Sequence, residues 1–285
     1  MANLRDLRRR IRSVRSTGQI TRAMKMVSAA RLRRAQDAIL AARPYARKLQ
    51  EILSNLAAGV EGGQHPLLSE REPRSVELVV VTADRGWCGS FNSNVFRRGM
   101  EFAREQGERF AGLHVIGRKG RDYFRRRPHT RLSEHTDVFR GLDYARASAM
   151  ADDLAQRFIE KKADSIYVVY NEFKSVARQN VCIERMMPIE RNLEEKQAYS
   201  PQYLYEPEPE KLFVRLLPLH VQFQFFRVLL ESAAAEHAAR MAAMDAATNN
   251  ASEMIDNLTL HLNRVRQASI TRELIEVVSG AQALA

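Results

Sequence analysis

The stretch AAEHAARMAAMDAATNNASEMIDNLTLHLNRVRQAS, residues 234–269, decides the fold. Ala234, His237, Met241, Met244, Thr248, Ala251, Ile255, Leu258, Leu262, Val265 and Ser269 step by threes and fours without an error, which is the seam of a coiled coil. The surrounding run from Leu219 to Ser279 contains neither Gly nor Pro. A helix of that length reaches about 90 Å at 1.5 Å per residue. A compact globule of this chain length is only about 50 Å across, so the helix needs a partner of similar length.

The chain supplies one at its other end. Leu4, Leu7, Ile11 and Val14 begin an apolar stripe that resumes at Ile20, Met24 and Val27 and settles into heptads at Ala35, Ile39, Ala42, Ala46, Leu49, Leu53 and Leu56. The pattern predicts one long helix over residues 3–57, with a break of phase near Gly18 and a kink at Pro44. The first helix ends where the middle of the chain begins and the last starts where it stops, so their pairing is antiparallel. The middle changes to a period of two. Strands are expected at 76–83, 113–117, 165–173 and 181–187, and helices at 92–106, 118–126 and 146–162. This is an α/β fold: a long antiparallel coiled coil of the N- and C-terminal helices plus a central Rossmann-like α/β domain. The expected segments are 1–58, 74–190 and 210–285, with linkers rich in Gly, Pro, Glu and Ser between them.

Composition narrows the function. The 285 residues carry a net charge of +11. Residues 1–50 hold 14 Lys and Arg against 2 acids, so the rest of the chain is nearly neutral. An Arg-rich start resembles a transit peptide, but the apolar pattern runs straight through it into the heptads. No run approaches the 18 or so uncharged apolar residues of a membrane span, so direct insertion is not expected. The 2 cysteines, Cys88 and Cys182, exclude a disulfide framework.

Phosphate loops fail one by one. Asp84-Arg85-Gly86-Trp87-Cys88-Gly89 lacks the third glycine of a dinucleotide loop, and Gly112 and Gly117 are followed by Arg118-Lys119 where Lys-Ser/Thr is needed. Cys88 imitates a nucleophile elbow one residue out of step, with only His220, His237 and His261 downstream as bases. No His or Cys spacing suits a metal, so neither metal nor cofactor is expected. His237 itself reads as seam packing.

The basic stripe of Arg5, Arg8, Arg9, Arg12, Arg15, Arg22, Lys25, Arg31, Arg33 and Arg34 fits an RNA backbone, an acidic protein or solvent. Aromatic residues that could stack on bases are absent before Tyr45. Composition leaves these readings open. From Leu274 to Ala285 there is one charged residue, Glu276, an end suited to an apolar sleeve rather than to water or phosphate.

The run Ile270-Thr271-x-Glu273-x-x-Glu276-x-x-x-Gly280-Ala281-x-Ala283 resembles the signature of the gamma subunits of F-type ATP synthases at every specified position. So do Ile20 to Ala30, the turn Asp84-Arg85-Gly86, the linker Tyr203-Leu204-Tyr205-Glu206-Pro207 and Glu236 to Met241. Trp87 departs, standing where the family usually has Leu, and the dithiol insertion of chloroplast members is missing. The resemblance implies a non-catalytic rotor shaft turning inside the catalytic hexamer of alpha and beta subunits. Its α/β foot would meet the epsilon subunit and the c-subunit membrane ring, peripherally on the cytoplasmic face of a bacterial inner membrane, without nucleic acid. It further implies that Arg266, Gln267, Thr271 and Glu273 meet the catalytic ring, with Met24 and Lys25 on the neighbouring surface, and that Tyr203, Tyr205 and Glu206 meet the membrane ring.

Overall fold

The computed structural model describes residues 4–59, 65–176, 178–189 and 208–284. The chain divides into two compact units, one of residues 1–28 with 241–285 and one of residues 29–240. Helix α1 spans Leu4–Gly59 and helix α5 spans Pro209–Leu284.

In the first unit the two helices run antiparallel. Gly18 lies against Ala251, Thr21 against Thr248 and Lys25 against Asp245, one number falling as the other rises. Between residues 251 and 270 of α5 the residues withdrawn from solvent are Ala251, Ile255, Leu258, Leu262, Val265 and Ser269, the seam expected from the sequence. Helix α1 corrects the expected break of phase near Gly18. It is continuous with Pro44 inside it, and its inward residues step Leu4, Leu7, Ile11, Val14, Gly18, Thr21, Lys25, Ser28 and Leu32 with no break of phase. Ile20 and Val27, read as seam residues, are each 53% exposed, while Thr21 and Ser28 are buried. The reason is close approach. A methyl added at Gly18 would already touch Ala251 Cβ at 3.4 Å, and the Thr21 and Thr248 hydroxyls, 2.7 Å apart, satisfy each other there.

By length and composition α5 is also apolar enough to pass for a membrane span, with 33% of its most apolar 18-residue window buried inside the fold. Its seam at coiled-coil spacing, with charged residues between, separates it from one.

The second unit is built on a five-stranded sheet in the order β3-β2-β1-β4-β5. In chain order these are β1 Val76–Val81, α2 Phe91–Gln106, β2 Phe110–Ile116, α3 Arg118–Phe124, β3 Arg131–His135, α4 Tyr144–Ile159, β4 Ser165–Phe173 and β5 Gln179–Met187. Strands β1 to β4 pair in parallel and β5 closes one edge antiparallel to β4. The fully buried run Val76–Val81 explains its central place, since a parallel strand covered on both faces cannot alternate apolar with polar. Its residues divide by parity: Val76, Leu78 and Val80 pack with α2 and α3, whereas Val79 and Val81 pack with α4 and with Leu49, Leu53, Val221, Phe225 and Val228 of the long helices. Strand β3 was missed, and β2 begins three residues before its expected start.

Candidate functional site

Arg266 and Gln267 follow the seam residue Val265 and are exposed, as are Thr271 and Glu273. The Thr271 hydroxyl donates to the Gln267 carbonyl at 2.9 Å, and Ser269 Oγ lies 3.2 Å from Glu273 Oε1. Met24 and Lys25 are half-buried, and Lys25 Nζ sits 2.6 Å from Asp245 Oδ1 across the seam. With 41% and 48% of the two side chains exposed, water screens that pair to about 1 kcal/mol or less. Because Lys25 stands opposite Asp245, it lies about 30 Å along the coil from Arg266 at 1.5 Å per residue. The expected contact residues thus fall at two levels. Tyr203, Tyr205 and Glu206 lie outside the described residues.

One surface escaped the sequence reading, and a second, the apolar tip, was expected from it. Ile20 and Val27 project outward on one side of α1, one heptad apart, as does Met254 on α5. Beyond about residue 269, α5 has run past the start of α1. Residues 270–282 are exposed all round, with Leu274, Ile275, Val277 and Val278 between 56% and 69% accessible. A single amphipathic turn would leave one face wet; apolar side chains on several faces call for an enclosing partner.

The α/β domain has its own candidate site. In a doubly wound sheet the ligand crevice opens beyond the carboxyl ends of the strands where the order reverses, here between β1 and β4. Helix α5 fills it. Ala83 and Cys88 after β1, Phe91 at the start of α2 and Phe173 at the end of β4 pack against Ala235 and Ala239 of α5. Above them Arg240 Nη2 lies 2.6 Å from Glu236 Oε1 and 3.3 Å from each of the Arg85 and Gly86 carbonyl oxygens. The turn therefore offers carbonyls to a cation where a phosphate would need N–H donors. Burial pushes the Cys88 thiol up, Arg240 opposing, and pushes His220 and His237 down to about 4. A Cys88 thiol held protonated by burial, with His220 and His237 packed into α5's buried face, gives this crevice no activated nucleophile–base pair. The isolated chain is accordingly expected to show no ATP binding by calorimetry at micromolar concentrations; a measurable isotherm would refute this reading of the crevice.

A two-helix shaft with an unpaired apolar tip, joined in one chain to a doubly wound domain whose crevice its own helix fills, defines a central-stalk type of protein. The chain belongs to the ATP synthase family, whose family model matches residues 3–284. It is 50% identical over 289 residues to the ATP synthase gamma chain of Anaeromyxobacter sp. (strain Fw109-5), covering 100% of both chains. With the ATP synthase gamma chain of Geotalea daltonii it shares 45% identity over 286 residues, 100% of this chain and 99% of that one. Among solved structures it is similar to a chain of the central stalk and c-ring of the Tetrahymena thermophila mitochondrial ATP synthase, with a TM-score of 0.63, 28% identity, and coverage of 80% of this chain and 99% of that one. The fold also matches a chain of the Euglena gracilis mitochondrial ATP synthase at a TM-score of 0.70, covering 99% and 94% of the two chains at 18% identity.

Proposed function

We infer that the chain is the central-stalk rotor of an F-type ATP synthase, coupling proton flow through the membrane ring to ATP synthesis by turning inside the catalytic hexamer. The observation that carries this is the antiparallel coil whose longer helix runs on alone as an apolar tip, in a chain matched end to end by ATP synthase gamma chains. A shaft of two unlike helices has no rotational symmetry. Each orientation therefore sets different side chains against each surrounding catalytic subunit, and differential contact shifts each site among its states. The shaft contributes no catalytic group of its own.

In this reading the segments 1–58 and 210–285 form the shaft and 74–190 the foot, which meets the epsilon subunit and the c-subunit ring on the cytoplasmic face of the membrane. Arg266, Gln267, Thr271 and Glu273 contact the catalytic ring near the tip, Met24 and Lys25 lower down, and Tyr203, Tyr205 and Glu206 rest on the polar loops of the membrane ring. The arginine stripe of α1 faces acidic protein rather than RNA.

The foot contact is the part most open to test. Two prolines, Pro207 and Pro209, restrict the backbone after Tyr205 and Glu206, so less ordering entropy is lost on docking. Cysteines placed at Tyr205 or Glu206 should crosslink to ring subunits in membranes. Tyr205→Ala with Glu206→Ala should lower proton-driven ATP synthesis while sparing hydrolysis by the detached catalytic part. Normal synthesis without a crosslink would reduce the segment to a tether.

A further inference from the structure

The crevice that a doubly wound sheet uses for a ligand here holds the chain's own longest helix, and the polar contacts across it are few and directed. We infer that Arg240, steadied by Glu236, is a positioning residue for coupling: it fixes the Asp84–Gly89 turn to α5, so that the crevice end of the α/β domain cannot shift along the helix. This rests on the rotor reading for its purpose but not for its geometry.

The argument begins with what apolar packing can and cannot do at this joint. Nearer its start α5 packs Val221, Phe225 and Val228 into the core beneath the sheet and pairs Arg227 with Glu184, but at the crevice it presents Ala235 and Ala239, whose methyls allow close approach but make no ridge to resist sliding. Burial of such surface is non-directional. Hydrogen bonds, which weaken steeply when bent, supply the missing direction. Arg240 is 6% exposed and Glu236 4%. They stand one helical turn apart, so their pairing fixes the guanidinium on α5 before it reaches the domain. A buried ion pair is weak evidence of stabilisation, because apolar residues of similar volume often serve as well. The pair's specific product is orientation.

On the far side the turn is tied into the sheet. Asp84 Oδ1 accepts the backbone N–H groups of Arg118 at 3.0 Å and Asp137 at 2.9 Å, so one carboxylate joins the loops after β1, β2 and β3. Asn92 Oδ1 accepts the N–H of Ala83 at 2.9 Å. Stiff connections thus run from three strand ends through Asp84 to the Arg85 and Gly86 carbonyls, and through Arg240 into α5. The next residue, Trp87, is held at φ +62° with 68% of its surface exposed. A bulky residue keeps that backbone only where its surroundings over-determine it.

Trp87 is the chain's single tryptophan, and so reports on the latch without a label. Time-resolved fluorescence anisotropy of the full chain should show little fast local motion in the wild type. Replacing both partners, Arg240→Met with Glu236→Met, strands no charge and is expected to leave the melting temperature within a few degrees. In that variant the amplitude of the fast anisotropy component should at least double. Arg240→Lys, which keeps the charge but loses the planar fork, should fall between the two, and serves alone if the paired variant does not fold. In reconstituted synthase the paired variant should lower protons pumped per ATP hydrolysed at least threefold, with hydrolysis retained. A Trp87 as immobile in both variants as in the wild type would overturn the latch. A mobile Trp87 with an unchanged pumping ratio would overturn its role in coupling. Failure of the wild-type chain to restore pumping would instead strike the rotor reading, and the anisotropy would still decide the latch.

Discussion

Glu77→Ala should destabilise the α/β domain by about 3–5 kcal/mol, the usual cost of stranding one member of a buried charge cluster. That is a large share of the roughly 5–15 kcal/mol by which ordinary domains are stable. Glu77 lies on the central strand β1 with 1% exposure, amid a run of valines. Its Oε2 accepts from His114 Nε2 at 2.8 Å and from Arg157 Nε at 3.0 Å, while Arg157 Nη2 reaches Oε1. His114 Nδ1 in turn lies 2.8 Å from Ser133 Oγ. One carboxylate thus ties β1 to β2, through His114 to β3, and to α4 above. Removing it leaves the imidazole and a guanidinium without their acceptor. Burial alone pushes Glu77 up, but the hydrogen bonds and charges of His114 and Arg157 outweigh it, and the carboxyl sits below its ordinary value. The contribution is therefore fully present above the ordinary carboxylate value and is lost as pH falls through the depressed folded one. Urea titrations of wild type and Glu77→Ala across the acid range should converge as pH drops. A constant gap down to the lowest pH at which the wild type stays folded would show that the carboxylate's charge is not what matters.

What the sequence made legible follows from where physics writes in apolar letters. The α5 seam was readable because Ile255, Leu258, Leu262 and Val265 are apolar in a polar surround. The α1 seam was misread between Gly18 and Ser28 because there the helices approach closely. Close approach selects Gly, Thr and Ser, so apolarity no longer marks the inside. Strand β3 was hidden for a related reason: Arg131, Ser133, Glu134 and His135 lie on a sheet edge only partly covered, where charge discourages pairing with another chain. The filled crevice could not be read at all. Glu236 and Arg240, four apart on a helix, look like an ordinary solvated pair, and only the fold reveals that both are buried against a turn some 150 residues earlier in the chain.

At the tip, Arg266→Ala with Gln267→Ala should lower ATP turnover by the assembled catalytic ring by about tenfold to a hundredfold. A hydrogen bond to a charged group is worth about 1.5–3 kcal/mol and a neutral one about 1, and each 1.4 kcal/mol absent from a rate-limiting transition is a factor of ten. The structure ranks the residues. Thr271 already donates its hydroxyl to the Gln267 carbonyl, and Glu273 meets Ser269, so both have partners on their own helix. The Arg266 and Gln267 side chains have no hydrogen bond or ion pair among the described residues, leaving their donors available to loops of the ring. Thr271→Ala and Glu273→Ala should accordingly cost less than threefold each. All four positions are exposed, so none of these changes should move the melting temperature of the chain by more than a degree or two. A merely solvated face predicts something different: full assembly and unchanged turnover in the double variant. Loss of turnover that scaled instead with loss of assembly would assign Arg266 and Gln267 to binding the ring rather than to driving it. Slow turnover in fully assembled complexes is the result that places them where rotation acts on the catalytic sites.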